Sequence, residues 1–330
     1  MSRLQPVVVA PDSFKGTFSA AEVAAALAAG VQDTGRESVE LPLADGGEGT
    51  MEVLAAALGA EVRTERVHDP LDRPITASFA LLEGGETAIV EMAQASSLAR
   101  VAADERDACA ASTYGTGELI AAAARAGARK VIVTVGGSAT TDGGAGALEA
   151  LDAAGVDVEL ELLCDVRTVW ELAPRTYGPQ KGADPETVRR LERRLDELAD
   201  RAPRDPRGVQ LTGAAGGLSG GLWAFRGAKL VAGAASVLDL LHFDERISDT
   251  GLVVTGEGRL DEQTLEGKVV AEVAARCRSR GVPCYVVVGE AALGREGLDR
   301  LGVSGVCEAT TLPELREAGT RLARTPASPR

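Results

Sequence analysis

Aromatic residues are scarce in this 330-residue chain, where Phe, Trp and Tyr together make up 3%. Its cores must be filled by Ala, Val and Leu, and the abundance of Ala and Gly favours helices packed closely on sheets. Histidine occurs only as His68 and His242, neither in a glycine-rich loop. Both are expected to be structural, so a carboxylate must take the place of a histidine base. The five cysteines, Cys109, Cys164, Cys277, Cys284 and Cys307, form no CxxC pair and no metal-ligand spacing. That fits reduced thiols in a cytoplasmic protein. There is no GxxxxGK[ST] to make a P-loop, no GxGxxG after the first strand, and no GxSxG elbow, which counts against P-loop enzymes, dinucleotide-binding dehydrogenases and α/β-hydrolases. Neither a secretory leader nor a membrane-spanning apolar run is visible. The net charge of −14 argues against nucleic acid as a partner but admits a small anion wherever positive charge is local.

Lysine is also rare, confined to Lys15, Lys130, Lys181, Lys229 and Lys268, and every other basic residue is arginine. A chain that defaults to arginine keeps lysine where a compact ammonium is needed. Lys15, Lys181 and Lys268 each adjoin glycine, a pairing that suits phosphate. Val131–Val135 reads as a buried strand cut off by Gly136-Gly137-Ser138, and Asp142-Gly143-Gly144-Ala145-Gly146 leads into an Ala/Leu helix. Strand, glycine loop and helix start in that order suit an anion, because glycine lets backbone N–H groups approach and a helix N-terminus is partially positive. Asp-Gly-Gly-x-Gly occurs twice, at Asp45–Gly49 and Asp142–Gly146, each before a helix. An aspartate there can serve as Mg²⁺ ligand or general base while the amides hold phosphate oxygens.

Strand–loop–helix units open the chain. Val7–Ala10 ends in a loop holding Asp12, Ser13 and Lys15; a helix capped by Ser19 and Glu22 follows; Val39–Leu43 then ends in Asp45-Gly46-Gly47-Glu48-Gly49. Between Val62 and Met92 the pattern changes, with Ile75–Leu82 and Thr87–Met92 reading as an antiparallel hairpin. It returns at Leu252–Thr255, a strand expected to end in Gly256-Glu257-Gly258-Arg259-Leu260-Asp261 before Gly267-Lys268 opens a helix. The expectation is an α/β protein of two domains. Residues 1–66 and 247–330 make a discontinuous Rossmann-like parallel-sheet domain, and residues 67–246 make an inserted mixed α/β domain with glycine-rich loops. A cleft between domains is a frequent small-molecule site. The tail 325–330 is expected to be disordered.

Several segments together carry a resemblance: Pro11-Asp12-Ser13-Phe14-Lys15-Gly16, Ala44-Asp45-Gly46-Gly47-Glu48-Gly49-Thr50, Gly136-Gly137-Ser138-Ala139-Thr140 with Asp142–Gly146, Cys164-Asp165-Val166, Gly178-Pro179-Gln180-Lys181-Gly182-Ala183, Gly213–Leu218, and Thr255–Asp261 with Gln263-Thr264 and Gly267-Lys268. In these, spread in order over nearly the whole chain, the sequence resembles the bacterial type II glycerate kinases. The resemblance implies an ATP- and Mg²⁺-dependent kinase that phosphorylates D-glycerate, giving 2-phosphoglycerate in preference to 3-phosphoglycerate. One segment departs from the family pattern. After Val166 an Asn-Pro-Leu stretch with a glycine is usual, whereas here the chain reads Arg167-Thr168-Val169-Trp170-Glu171-Leu172-Ala173-Pro174-Arg175-Thr176-Tyr177 and is shorter. Its consequence depends on whether that loop touches substrate.

A glycerate kinase needs cations or N–H donors for the carboxylate, a base near the accepting hydroxyl, and charge neutralisation at the transferring phosphoryl. Lys15, Lys181 and Lys268 are the candidates for phosphate or carboxylate contact. Asp45 and Asp142 are candidates for base or Mg²⁺ ligand, with Asp165 a third metal candidate and Glu48, Glu257 and Asp261 behind them. Lys15, Asp45, Asp142 and Lys181 form the expected catalytic set. The loop Gly136-Gly137-Ser138 would cradle an anion, and Asp12, Ser13, Gly46, Gly47, Gly143, Gly144 and Arg259 complete the expected binding residues. A kinase for another small hydroxy or sugar acid, and a non-catalytic sensor with a kinase-like fold, are the other readings of the same residues. No membrane partner is expected, and oligomeric state stays open.

Overall fold

The computed structural model describes residues 5–325; the tail expected to be disordered lies outside them from residue 326 on. Its strands are β1 (Val7–Val9), β2 (Ser38–Glu40), β3 (Glu61–His68), β4 (Pro74–Leu81), β5 (Thr87–Glu91), β6 (Lys130–Thr134), β7 (Glu159–Cys164), β8 (Lys229–Ala232), β9 (Leu252–Leu260), β10 (Cys284–Ala291) and β11 (Gly305–Glu308). By internal contacts the chain divides into two compact units, Met1–Asp45 with Ala234–Arg330, and Gly46–Gly233. These divisions fall earlier than the expected boundaries at 66/67 and 246/247. One cause is β3, which pairs with β4 along its whole length yet is exposed over most of it, so no apolar pattern ties it to the central unit. Among the described residues no helix is long and apolar enough to cross a membrane.

The terminal unit holds an all-parallel sheet in the order β11-β10-β9-β1-β2. Numbered within the unit this is 2-1-3-4-5, a doubly wound arrangement with its topological switch point between β1 and β9. Val7, Val8, Val9, Val253, Val254, Val286, Val287 and Val288 are fully buried, as continuous apolar runs covered on both faces should be. The helices Ala20–Gln32 and Leu312–Ala323 pack backbone to backbone: a Cβ on Gly30 would land on the carbonyl of Arg316, and one on Gly319 on the carbonyl of Leu27. Close approach of this kind fills space that aromatic side chains fill in other cores. The capping box of Ser19 and Glu22 is present. Strand β9 does not stop at Thr255 but runs on to Leu260, paired with β10 as far as Ala291. Gly256 and Gly258 are there for contact, not turning: a Cβ on Gly256 would strike the carbonyl of Val287, and one on Gly258 would lie 3.3 Å from the Lys15 backbone nitrogen.

The central unit is a mixed sheet in the order β3-β4-β5-β6-β7-β8. Strands β3, β4 and β5 pair antiparallel, and β5 to β8 run parallel, so the expected hairpin forms. The segment that departs from the family pattern becomes a short turn, Trp170–Leu172, and a one-turn helix, Ala173–Tyr177. Trp170 is fully buried. Its indole lies on Gly143, Gly217 and Gly220, where added Cβ atoms would approach ring carbons to 2.7, 3.1 and 2.5 Å, and its Nε1 donates to the Leu195 carbonyl at 3.2 Å. This part of the departure is a core plug. Trp170→Ala should cost on the order of 3–5 kcal/mol, read as a fall in denaturation midpoint, while Trp170→Phe should keep most of the stability and leave ligand affinity within a few-fold of wild type.

Candidate functional site

Each unit carries a polar cavity beyond the carboxyl ends of its parallel strands. In the central unit the cavity is about 340 Å³ and is lined by Gly136, Gly137 and Ser138 after β6, Asp165 after β7, and Glu48 and Lys181. Gly136 has no room for a side chain, since a Cβ would sit on the Cα of Gly47 and 3.0 Å from Asp165 Oδ2. Gly137 has φ +70° and a Cβ there would strike the Glu48 carboxylate. Glycine thus brings the loop backbone directly against two acids. Glu48 accepts from Ser97 Oγ at 2.7 Å, and Ser97 bridges to Ser138 through the backbone.

Lys181 ends the turn Pro179–Lys181 and is only 2% exposed. Its Nζ donates to Ser138 Oγ at 2.8 Å and to the Thr140 carbonyl at 2.6 Å, which leaves one of its three N–H donors. The Tyr177 ring centre lies 6.0 Å from Nζ. Burial pushes the Lys181 ammonium down from 10.5 to about 7, against the attraction of Asp142 and Asp165.

In the terminal unit a cavity of about 390 Å³ sits at the switch point, lined by the loop after β1 and the end of β9. It gathers Asp12, Ser13, Lys15, Asp45, Glu257, Arg259, Asp261 and Lys268. Asp12, Asp45 and Glu257 are all buried. Lys15 Nζ lies 3.3 Å from Asp45 Oδ2, although the lysine itself is mostly exposed. Burial, and then the charge of Asp45, push the Asp12 carboxyl up to about 7 against the Ser13 N–H and Lys15. Burial pushes Glu257 to about 7 against the Thr264 hydroxyl, which donates at 2.5 Å, and against Lys268. Carboxyls that keep protons near neutrality mark a place short of positive charge. Among the described residues no group of three His, Cys, Asp or Glu is spaced to hold a metal ion alone. Mg²⁺ is commonly held by one or two carboxylates together with phosphate oxygens, and the buried neighbours Asp12 and Asp45 fit that demand.

The repeated Asp-Gly-Gly-x-Gly motif resolves into two uses. Asp142 is fully buried and accepts from the Thr113 N–H and hydroxyl (2.9 and 2.8 Å) and from the Gly144 and Gly146 amides (both 3.1 Å). These bonds tie the Asp142 carboxylate, expected as base or Mg²⁺ ligand, to the loop and the start of the helix Ala145–Ala154. Of the expected binding glycines beside it, Gly143 donates its amide to Gly216 and Gly144 donates its amide to Asp142, with Trp170 and Leu218 packed against them. In the first copy the capping carboxylate is Glu91, which accepts from the Gly49 and Met51 amides at 3.0–3.1 Å, and Asp45 instead meets Lys15.

The sequence profile described as the Glycerate kinase family matches residues 7–159 and 152–325. The chain belongs to the glycerate kinase family. It is 37% identical to a glycerate kinase of Bacillus subtilis (strain 168), covering 89% of each chain, and 37% identical to a glycerate 2-kinase of Escherichia coli (strain K12), covering 86% of this chain and 84% of the relative. The crystal structure of a Salmonella typhimurium LT2 protein assigned as glycerate kinase 2 superposes with a TM-score of 0.83 at 33% identity, over 97% of both chains.

In this family member the glycine-flanked lysines all reach a cavity, Lys181 the central one and Lys15 and Lys268 the terminal one. The remaining lysines, Lys130 and Lys229, both pair with Glu161 on the sheet, at 3.0 and 3.2 Å. Gly46 and Gly47 support the central loop, the Gly46 carbonyl accepting from Val135 at 3.1 Å. His68 pairs with Glu118 at 3.0 Å and lines neither of these cavities. Sequence reasoning missed Arg106 and Tyr177 in the central cavity and Thr310 in the terminal one. No glycine, repeat or rare residue type marks them. Tyr177 is the one residue of the departing segment Arg167–Tyr177 that lines the central cavity.

Proposed function

We propose that this protein is a cytoplasmic enzyme that transfers the γ-phosphoryl group of ATP to D-glycerate, with Mg²⁺, and favours the 2-hydroxyl. Kinship with the B. subtilis and E. coli enzymes supports the reading. One observation carries it: a buried lysine with a spare donor shares a small cavity with two acids, Glu48 and Asp165. That is the complement of a hydroxy acid. The ammonium and the Gly137-Ser138 loop suit the carboxylate, and the acids suit the hydroxyls, Asp165 being the group assigned to take the proton of the attacking one. A polyphosphate would meet those acids as like charges. It suits the terminal cavity, where Lys15 and Lys268 face phosphate oxygens and Asp12 and Asp45 would hold Mg²⁺, whose chemistry there is to neutralise phosphate charge.

The test is a coupled ADP-release assay with MgATP and D-glycerate, with L-glycerate and no acceptor as controls. Turnover confined to the D-isomer is expected. Proton-coupled ³¹P NMR of the product then reads the position, a doublet for the ester on the CH carbon and a triplet for the ester on the CH₂ carbon. Faster turnover with another hydroxy acid would replace glycerate as acceptor, and ligand binding without turnover by folded protein would replace the kinase by a sensor.

A further inference from the structure

The central cavity holds a second cation. Arg106 lies in the irregular stretch between Val101 and Thr113 and lines the cavity beside Lys181. Its Nη1 donates to the Gln180 carbonyl at 3.2 Å, and a Cβ on Gly182 would come within 3.0 Å of both its Cβ and its carbonyl oxygen. The two loops are thus seated on each other with no side chain between, which places the base of the Arg106 side chain at the turn that carries Lys181. Arg106 Nε is shut off from solvent and has no hydrogen-bond partner among the described residues. A charged donor in that state is costly and uncommon. With Nη1 given to Gln180, the edge formed by Nε and Nη2 is the one a planar oxyanion matches in a fork. A rotation of the last side-chain torsions that turns this edge onto an anion in the cavity would satisfy Nε, which none of the described residues does.

We infer that Arg106 is a specificity-determining residue, clamping the carboxylate of the small hydroxy acid while Lys181 supplies a second cation. The inference rests on the central cavity being the acceptor site. A carboxylate is favoured over phosphate because Glu48 and Asp165 line the same cavity, where a monoanion with hydroxyls meets acids it can hydrogen-bond and a polyphosphate meets repulsion. Lysine cannot replace the residue, since it lacks the fork.

The experiment is calorimetric titration of full-length wild type, Arg106→Lys and Arg106→Ala with D-glycerate, with neutral glycerol, and with ADP, beside D-glycerate kinetics and thermal midpoints. Both variants should lose about 10- to 100-fold in D-glycerate affinity, with KM rising more than kcat falls. ADP affinity should stay within twofold, and Arg106→Ala should bind glycerol as the wild type does. D-glycerate affinity within twofold of wild type in Arg106→Ala would overturn the inference and leave the kinase reading standing. A loss that falls on ADP instead would make the residue a phosphate contact and overturn it too. If the wild type ignores D-glycerate but binds another hydroxy acid in an Arg106-dependent way, the glycerate reading fails and the clamp is upheld. A wild type that binds ADP and no hydroxy acid defeats both. Arg106→Lys controls for folding, because it keeps the charge and most of the packing volume.

Discussion

Lys181→Met should lower kcat/KM for D-glycerate by about 10²–10³, within the range expected when one partner of a buried, hydrogen-bonded charge pair with a bound carboxylate is truncated. It should do so without destabilising the protein. Met fills most of the volume and needs no water, whereas the lysine is held in a place where burial drives its pKa from 10.5 to about 7. An unfolded chain binds that proton up to about pH 10.5 and the folded one only up to about 7. Wild-type stability should therefore rise with pH across this window, and the rise should disappear in the Met variant. The same titration reaches the ligand. In the free protein the ammonium is present below about pH 7, and a bound anion draws the proton back, so KM for the acid should climb by up to about tenfold per pH unit above 7. In Lys181→Met that slope should be gone. A variant that melts well below wild type yet keeps kcat/KM within tenfold would make Lys181 a structural tie between Ser138 and Thr140 and nothing more.

That lysine was legible because the sequence economises on its residue type. Where arginine is the default, the lysines flanked by glycine mark the cavities, and the two that are not sit astride Glu161. The alternation of strands and glycine loops is legible for a related reason: fully buried parallel strands read as unbroken Val runs, as at Val7–Val9 and Val286–Val288. Other features are not written locally. Asp45 and Asp142 stand in the same five-residue motif, and what separates them is a distant residue, Glu91, which caps the helix Thr50–Leu58 after the first copy in place of that copy's aspartate. The end of β9 was misplaced because glycine reads as a turn, while Gly256 and Gly258 are small so that neighbouring backbone can approach. Arg106 and the seat of Trp170 on three glycines depend on contacts between segments far apart in the chain, which spacing within one segment does not encode.

Asp12→Asn carries the other large effect, and it should move activity and stability in opposite directions. Turnover should fall on the order of 10²-fold or more, since the change removes a charge beside the site assigned to the transferring phosphoryl. Stability at pH 8 should rise by a few °C in chelator, because ionised Asp12 is buried and faces Asp45. The pH dependence follows from the raised pKa. Protonated Asp12 favours the folded state fully below about pH 4, and that advantage is lost as pH climbs through about 7. Glu257, raised to about 7, adds to the same trend. In chelator the wild type should thus lose ground to Asp12→Asn between pH 5 and pH 8. Adding Mg²⁺ with ADP should return it, more at pH 8 than at pH 5.5, where protons compete with the cation, and the Asn variant should respond weakly at both. Thermal midpoints in a pH series with and without MgADP measure all of this. If Asp12→Asn melts below wild type at pH 8, or if MgADP stabilises both proteins alike, the buried acids are a structural cluster and the divalent ion belongs elsewhere. If the crossing occurs as stated, the terminal cavity is a site kept unstable until its cationic ligand arrives, which is the expected cost of assembling like charges where a phosphate-bound cation must later sit.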